Sequence, residues 1–427
     1  MLVSDYNNFV HCTEEYQNKD TKSRRDIALY GLIGEIGSIV SALKKNILSD
    51  HDNLTSINDE IIEEIGDAVW YCFSLVSIEN QGKSVNILSN SIRKLRVELM
   101  SKSERSEKFR KKIGEEKYKE FMDNSKKIPS TSNMKFSDYQ KLSILTARVS
   151  GDELLRVCLA VLWQNGAELL RKELNKDELY FNSSINKQKI NDILMSVAWH
   201  LSAIASVFNA SLDDIAKFNV AKISSRRDGL SPTSLHDEGL PDLEQFPRQF
   251  SVEFVASGCG RSQMWFDGEK LGDELTDNAY EGDGYRFHDV LHLANVAHLG
   301  WSPVMRALMG RKRKSLPTVD EVEDGARARI VEEAIVKFIH AEGVMISERR
   351  GHSDESKPMF SSRDDISYDF LKVIKRLVKG LEVENNSYWE WERAILNGYK
   401  IFHELKTFNQ GVVKVDLDER TISFCQS

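Results

Sequence analysis

GEIGS (34–38) and EEIGDAVWY (63–71) are the two stretches on which the fold reading turns. Each gives the polar stripe of a helix that is apolar elsewhere. At 100° per residue, Glu60, Glu64, Asp67 and Tyr71 fall within about 60° of one another. Ile61, Ile62, Ile65, Ala68, Val69, Cys72, Phe73 and Val76 cover the other side. On the preceding helix Gly31, Glu35, Ser38 and Ala42 form a similar stripe, with small residues flanking the acid, so that a helix or ligand can come close. Carboxylates stacked on one face repel one another unless a cation lies between them. An oxygen-only donor set suits Mg²⁺ or Mn²⁺.

This pattern resembles the MazG-like, all-α nucleoside triphosphate pyrophosphohydrolases, whose signature is ExxE on one helix and ExxD on the next. The second half stands intact as Glu64-Ile65-Gly66-Asp67, followed by Trp70 and Tyr71. The first half is Glu35-Ile36-Gly37-Ser38, with serine in place of the second acid. Serine can ligate a metal or hold its water, but it brings no charge and reaches less far. The resemblance implies Mg²⁺-dependent cleavage between the α and β phosphates, giving a nucleoside monophosphate and pyrophosphate. It also implies Glu35, Glu64, Asp67 and Ser38 as metal ligands, and Glu60 or Glu63 as an outer-shell group or general base. Lys44, Lys45, Trp70 and Tyr71 are the expected substrate contacts. The bland reading of an EExxD string is a solvated helix face. The paired helices and the GEIG context argue against it.

Composition agrees with a soluble globular chain: 427 residues, 41% apolar, 29% charged, and only seven prolines, as long helices require. A net charge of −8 disfavours a dedicated nucleic-acid binder. The first residues lack a signal-peptide pattern, and no run of about 18 apolar residues predicts a membrane span. Cys12, Cys72, Cys158, Cys259 and Cys425 are isolated and odd in number, which fits a reduced, cytoplasmic setting.

The periodicity predicts long helices at 24–48, 55–79 and 84–101, then a polar stretch, Lys102–Lys127, read as a solvated helix or insertion. Pro129-Ser130-Thr131-Ser132 makes a turn, and helices resume near 136. This second set echoes the first. A shift of 129 pairs Gly37 with Gly166, Ile61 with Ile190, Trp70 with Trp199, Asn90 with Asn219 and Arg93 with Lys222. Gln164, Ile193 and Ser196 then stand where the first copy has Glu35, Glu64 and Asp67. The stretch SLDDIAKFNVAKISSR (211–226) also resembles the last helix of MazG domains. The expected fold is therefore mainly α. A MazG-like helical bundle, built as a diverged tandem repeat, comprises a metal-binding copy (1–128) and a degenerate one (129–228). A homo-oligomer or an intrachain pseudo-dimer would complete the nucleotide pocket through Asn219 and Lys222.

GLSPTSLHDEGLPDLEQFP reads as a linker (229–248). The remainder, 249–427, reads as an α-rich domain with a small β-hairpin: QFSVEFV (249–255), QMWFDGEKL (263–271) and a turn at Asp267-Gly268. Helices are expected over 284–309, broken before Pro303, over 320–347, and between 364 and 406. YRFHDVLHLA, LGWSP, RKRKS and EDGARARIVEEA are similar to the domain found C-terminal to some MazG-like proteins. His288 and His292, an i,i+4 pair with Asp289 beside them and Glu332 and Glu333 on a later helix, could bind a transition metal, although HDVLH is neither HExxH nor a full HD-phosphohydrolase pattern. A buried polar cluster tying two helices together is the preferred reading. GRKRKS (310–315) is expected as a solvated basic loop, and SGCGRS (257–262) as a turn. The competing functional reading is a catalytically weak nucleotide-sensing or scaffold protein whose C-terminal domain carries the regulatory or partner-binding role.

Overall fold

The computed structural model describes residues 1–48, 54–81, 86–128, 134–172, 189–226, 231–258, 260–350 and 356–426. The turn expected at Pro129 to Ser132 and Cys259 in SGCGRS lie outside them. The chain divides into two compact units, Met1–Ser224 and Ser225–Ser427.

The first unit is all helix: α1 (Val3–Thr13), α2 (Thr21–Leu48), α3 (Leu54–Glu79), α4 (Ile87–Met100), α5 (Glu104–Ile113), α6 (Glu115–Ser125), α7 (Phe136–Ile144), α8 (Gly151–Arg171), α9 (Ile190–Val207) and α10 (Leu212–Ser224). Its core is one continuous cluster, with Leu32, Ile36, Ile39, Ile61, Ile65, Ala68, Phe73 and Val76 from the first hairpin and Leu162, Ile193, Val197 and Leu201 from the second. The hairpin α2–α3 packs on the hairpin α8–α9, α2 against α8 and α3 against α9. α1 lies on α3 as α7 lies on α9, and the helix after each hairpin crosses over: α4 packs on α9 and α10 on α3.

Side-chain detail repeats too. The Trp70 indole N–H donates to Thr13 Oγ1 (3.3 Å), and the Trp199 indole N–H donates to Thr146 Oγ1 (3.0 Å). Tyr6 and Thr13 of α1 match Tyr139 and Thr146 by an equal step along the chain. These correspondences are the ones a diverged duplication would leave.

α2 and α9 each contain an 18-residue window apolar enough to cross a membrane by length and composition, where the sequence reading expected none. Ala28, Leu29, Leu32, Ile36, Ile39 and Ala42 of α2, and most of α9 from Ile193 to Ala205, instead point into this core. The polar stretch after α4 is not wholly solvated. It forms α5 and α6, divided at Gly114 (φ 85°) and anchored by buried Phe109, Ile113 and Phe121.

The second unit joins a sheet to α11 (Asp289–Leu299), α12 (Pro303–Leu308), α13 (Pro317–Val322), α14 (Ala326–Arg349), α15 (Tyr368–Leu377) and α16 (Tyr388–Phe408). The expected hairpin is β2 (Arg261–Phe266) and β3 (Glu269–Leu275), turning at Asp267 and Gly268, both at positive φ. It is one edge of a five-stranded antiparallel sheet of order β3-β2-β1-β4-β5, with β1 (Gln249–Ser257), β4 (Gly411–Asp416) and β5 (Thr421–Cys425). The last two strands were not foreseen. β4 pairs with β1 across some 160 residues, Val413 opposite Val252, a register that no local pattern announces.

α11 and α16 lie side by side beneath β4 and β5. They approach closely at Gly398, where a Cβ would come within 3.0 Å of Ala294 Cβ. The single helix expected over 320–347 is two. Gly325 caps α14 where a Cβ would stand 2.0 Å from the Glu321 carbonyl oxygen. Residues 231–247 are integral to this unit: Asp237 and Phe246 are 1% exposed.

Candidate active site

Glu35 of α2 and Glu64 and Asp67 of α3 meet on the face that the helical spacing predicts. One oxygen from each lies within 4.8 Å of the others. The carboxyl of Glu35 is pushed up to about 8, first by burial, then by its hydrogen bond with Glu64 and the charge of Asp67. Glu64 is raised as well, again chiefly by burial. Half-buried acids held this close prefer to keep a proton between them, and a divalent cation would take that proton's place. The donor set is all carboxylate, which fits Mg²⁺ or Mn²⁺.

Gly31, one turn before Glu35, is glycine because the ring of Tyr71 occupies the space a side chain would need. A Cβ there would lie 2.3–2.6 Å from three ring carbons. Tyr71 thus lies flat against α2, edge-on to Trp70 (5.1 Å, 88°). Its hydroxyl is raised by burial and then by the charges of Glu35 and Asp67.

α10 completes the site. The Asn219 amide donates to Asp67 Oδ1 (2.8 Å), and its own carbonyl oxygen accepts from the buried Tyr6 hydroxyl (2.9 Å). The Lys222 ammonium donates to Glu63 Oε1 (2.7 Å) and Asp67 Oδ2 (2.5 Å). Burial disfavours the charge on Lys222, yet Asp67 and Glu63 outweigh it and raise the pKa, so it stays an ammonium. Gly66 lets this helix in: a Cβ there would sit 3.3 Å from Asn219 Cβ and 3.4 Å from Ile215 Cγ2.

The remaining expected residues are placed differently. Lys45 pairs with Glu60 at the outer end of the hairpin, and Lys44 is exposed. Trp70 is buried in the helical core. Ser38 is half-buried, one turn beyond Glu35 on α2. Tyr6 was missed by sequence reasoning. Its signal was the Tyr-and-Thr correspondence between α1 and the stretch from α7 to Thr146, in which each threonine holds a tryptophan of α3 or α9.

In the second copy the acids are gone and the geometry follows. Ile193 is fully buried, and Ser196 accepts from the Asn165 amide (3.0 Å). In place of the acid trio there is a cavity of about 410 Å³ lined by Lys94, Arg105, Phe109, Asp192, Trp199 and His200.

The second unit gathers its own ionisable residues. The expected solvated loop at 310–315 is exposed at Gly310, Lys314 and Ser315, but Arg313 within it is internal. Arg313 is 1% exposed and bonded to Asp324 (2.7 Å) and Glu382 (2.8 Å), beside an equally buried Arg306–Asp237 pair (2.9 Å). Charges so deep need partners, and this network sets a carboxylate against each arginine. Nearby, His292 Nδ1 lies 2.8 Å from Glu332 Oε1 and its Nε2 lies 3.6 Å from Glu333 Oε2, joining α11 to α14. His288, Asp289 and His292 also present ligand atoms within 4.8 Å of one another. These two trios are the groups with metal-site spacing among the described residues.

Residues 231–427, nearly all of the second unit, match the family model of the MazG C-terminal domain. No curated protein and no solved structure matches the chain.

Proposed function

We propose that this chain, a MazG-like protein by its C-terminal domain, hydrolyses nucleoside triphosphates to the monophosphate and pyrophosphate at the α2–α3 site. The observation that carries the proposal is the convergence of Glu35, Glu64 and Asp67 on one point, with Lys222 and Asn219 of the other copy closing it. These carboxylates would hold Mg²⁺, which when bound offsets phosphate charge and lowers the pKa of water. Tyr6 and Asn219 fix the rotamer of Asp67. Lys222 neutralises Asp67 and Glu63 in the free protein, and on substrate entry its ammonium is placed to meet phosphate oxygens instead. Glu63, released from Lys222, is the carboxylate positioned to accept a proton from an attacking water. Glu60, held by Lys45, stands farther out. One chain holds both helical copies, so the pocket needs no second subunit. The buried free thiols of Cys72 and Cys158 favour a reducing, cytoplasmic setting.

Ser38 favours a second reading, a nucleotide sensor with little turnover, because one ligand charge is missing and Lys222 already satisfies Asp67. Asp67→Asn decides between the two. It keeps an acceptor for the Asn219 amide but removes the charge that faces Lys222 and the cation. Under the enzyme reading Mg²⁺-dependent turnover falls at least a hundredfold with thermal stability retained. Undiminished turnover would remove this site from the reaction. Nucleotide binding without turnover in the unaltered protein would favour the sensor.

A further inference from the structure

The cluster on α11 and α14 has the features of a built metal site. His288 donates its Nδ1–H to the Tyr285 carbonyl (2.9 Å), and its ring is stacked on Tyr285 (centroids 4.4 Å, 7°). That bond fixes the tautomer and leaves Nε2 with a lone pair. His292 is fully buried, and its Nδ1 faces Glu332, itself fully buried. Glu332 is held in turn by the Asn295 amide (3.2 Å) and the Val304 N–H (2.9 Å). Carboxylate behind imidazole is the arrangement that orients metal-binding histidines. Neither ring nitrogen of His292 has a hydrogen-bond partner, although no solvent reaches them.

What the two Nε2 atoms face is a pair of carboxylates. His288 Nε2 lies 3.6 Å from Asp289 Oδ1 and 3.9 Å from Glu333 Oε2, and His292 Nε2 lies 3.6 Å from that same Glu333 oxygen. These separations are too long for hydrogen bonds. Four ligands at about 2.1 Å around a tetrahedral cation stand about 3.4 Å apart, so these three separations would have to close by about 0.2–0.5 Å, with the Glu333 side chain moving in to join the trio. An entry path exists as well. Asp289 and His292 are buried, but the Glu333 side chain is 47% exposed. It edges an open groove of about 440 Å³ shared with Val304, Leu308, Arg329 and Ile330.

We propose that His288 Nε2, His292 Nε2, Asp289 and Glu333 bind a divalent transition cation of the zinc class, with Glu333 as the exchangeable, solvent-side ligand. Two imidazoles with two carboxylates suit Zn²⁺, Co²⁺ or Fe²⁺ and disfavour Mg²⁺ and Ca²⁺. The site is independent of the acidic trio on α2 and α3 and stands whether or not that trio is catalytic.

The test uses the full chain carrying Asp67→Asn, stripped with chelator and titrated with Zn²⁺ or Co²⁺ alone. Expected are one equivalent of Zn²⁺ at micromolar affinity or tighter, no measurable displacement by millimolar Mg²⁺, and visible Co²⁺ bands of a four- or five-coordinate nitrogen–oxygen site. Glu333→Gln, at the solvent edge where folding is not at risk, should weaken Zn²⁺ at least tenfold, and His288→Asn should abolish the Co²⁺ bands. The proposal is overturned by the absence of a bound equivalent, or by Zn²⁺ affinity that neither substitution changes. In either case the cluster is an imidazole–carboxylate tie between two helices.

Discussion

Gly31→Ala asks whether the acidic face depends on the close fit of Tyr71 against α2. Two effects of opposite sign compete. An alanine within an α-helix is favoured over glycine by about 1 kcal/mol. Against it, the new Cβ would lie 2.3, 2.4 and 2.6 Å from Cε1, Cζ and Cδ1 of Tyr71. Carbon atoms pack at about 3.5–4.0 Å, so the ring has to retreat by more than 1 Å. Trp70 stands edge-on behind it, and insertions into packed sites of this kind cost about 1–3 kcal/mol. The clash should win, leaving Gly31→Ala destabilised by about 1 kcal/mol. For a unit of this size that is roughly 2–4 °C in Tm. In a Tyr71→Ala background the clash is gone, and the same substitution should stabilise by up to about 1 kcal/mol. Calorimetry on the four proteins of this cycle gives a coupling near 2 kcal/mol if the reasoning holds. A Gly31→Ala protein more stable than its parent, or an equal effect in both backgrounds, would refute it.

Two further outcomes concern the C-terminal domain. Asp324→Ala leaves Arg313 and Arg306 buried without their shared carboxylate, and chemical denaturation should show a loss of about 3–5 kcal/mol, whereas an exposed basic loop would lose almost nothing. Glu323 is pushed up to about 7, mainly by burial and then by the charge of Glu382. The folded state therefore holds a proton that the unfolded chain releases near 4.5. The corresponding stability is complete below that pH and lost as pH rises through about 7. Glu323→Gln should flatten this part of the stability–pH curve, and an unchanged slope would place the titration elsewhere.

The 3.6-residue period sufficed to bring Glu35, Glu64 and Asp67 together, because a helix face is a local property and two adjacent helices share one hairpin. The echo of Asn90 and Arg93 in Asn219 and Lys222 pointed to α10, which does reach Asp67 and Glu63. The pattern could not say that Lys45 would turn to Glu60, since a face does not fix where a long side chain ends. Tyr6 escaped for a related reason: nothing local in α1 reveals that its hydroxyl meets Asn219, 213 residues away. β4 escaped because its partner, β1, lies far along the chain, and β5 follows it as the outer strand paired to β4. Arg313 was read as solvated because a basic run normally is; only the fold reveals Asp324 and Glu382 around it.

The central claim is tested most directly by product analysis. The purified chain, with Mg²⁺, is incubated with each of the ribo- and deoxyribonucleoside triphosphates, and the phosphorus-containing products are separated. The account predicts monophosphate and pyrophosphate in equal amounts from at least one of them, and nothing from the Asp67→Asn protein. Diphosphate with orthophosphate, or no turnover from any nucleotide, would contradict it.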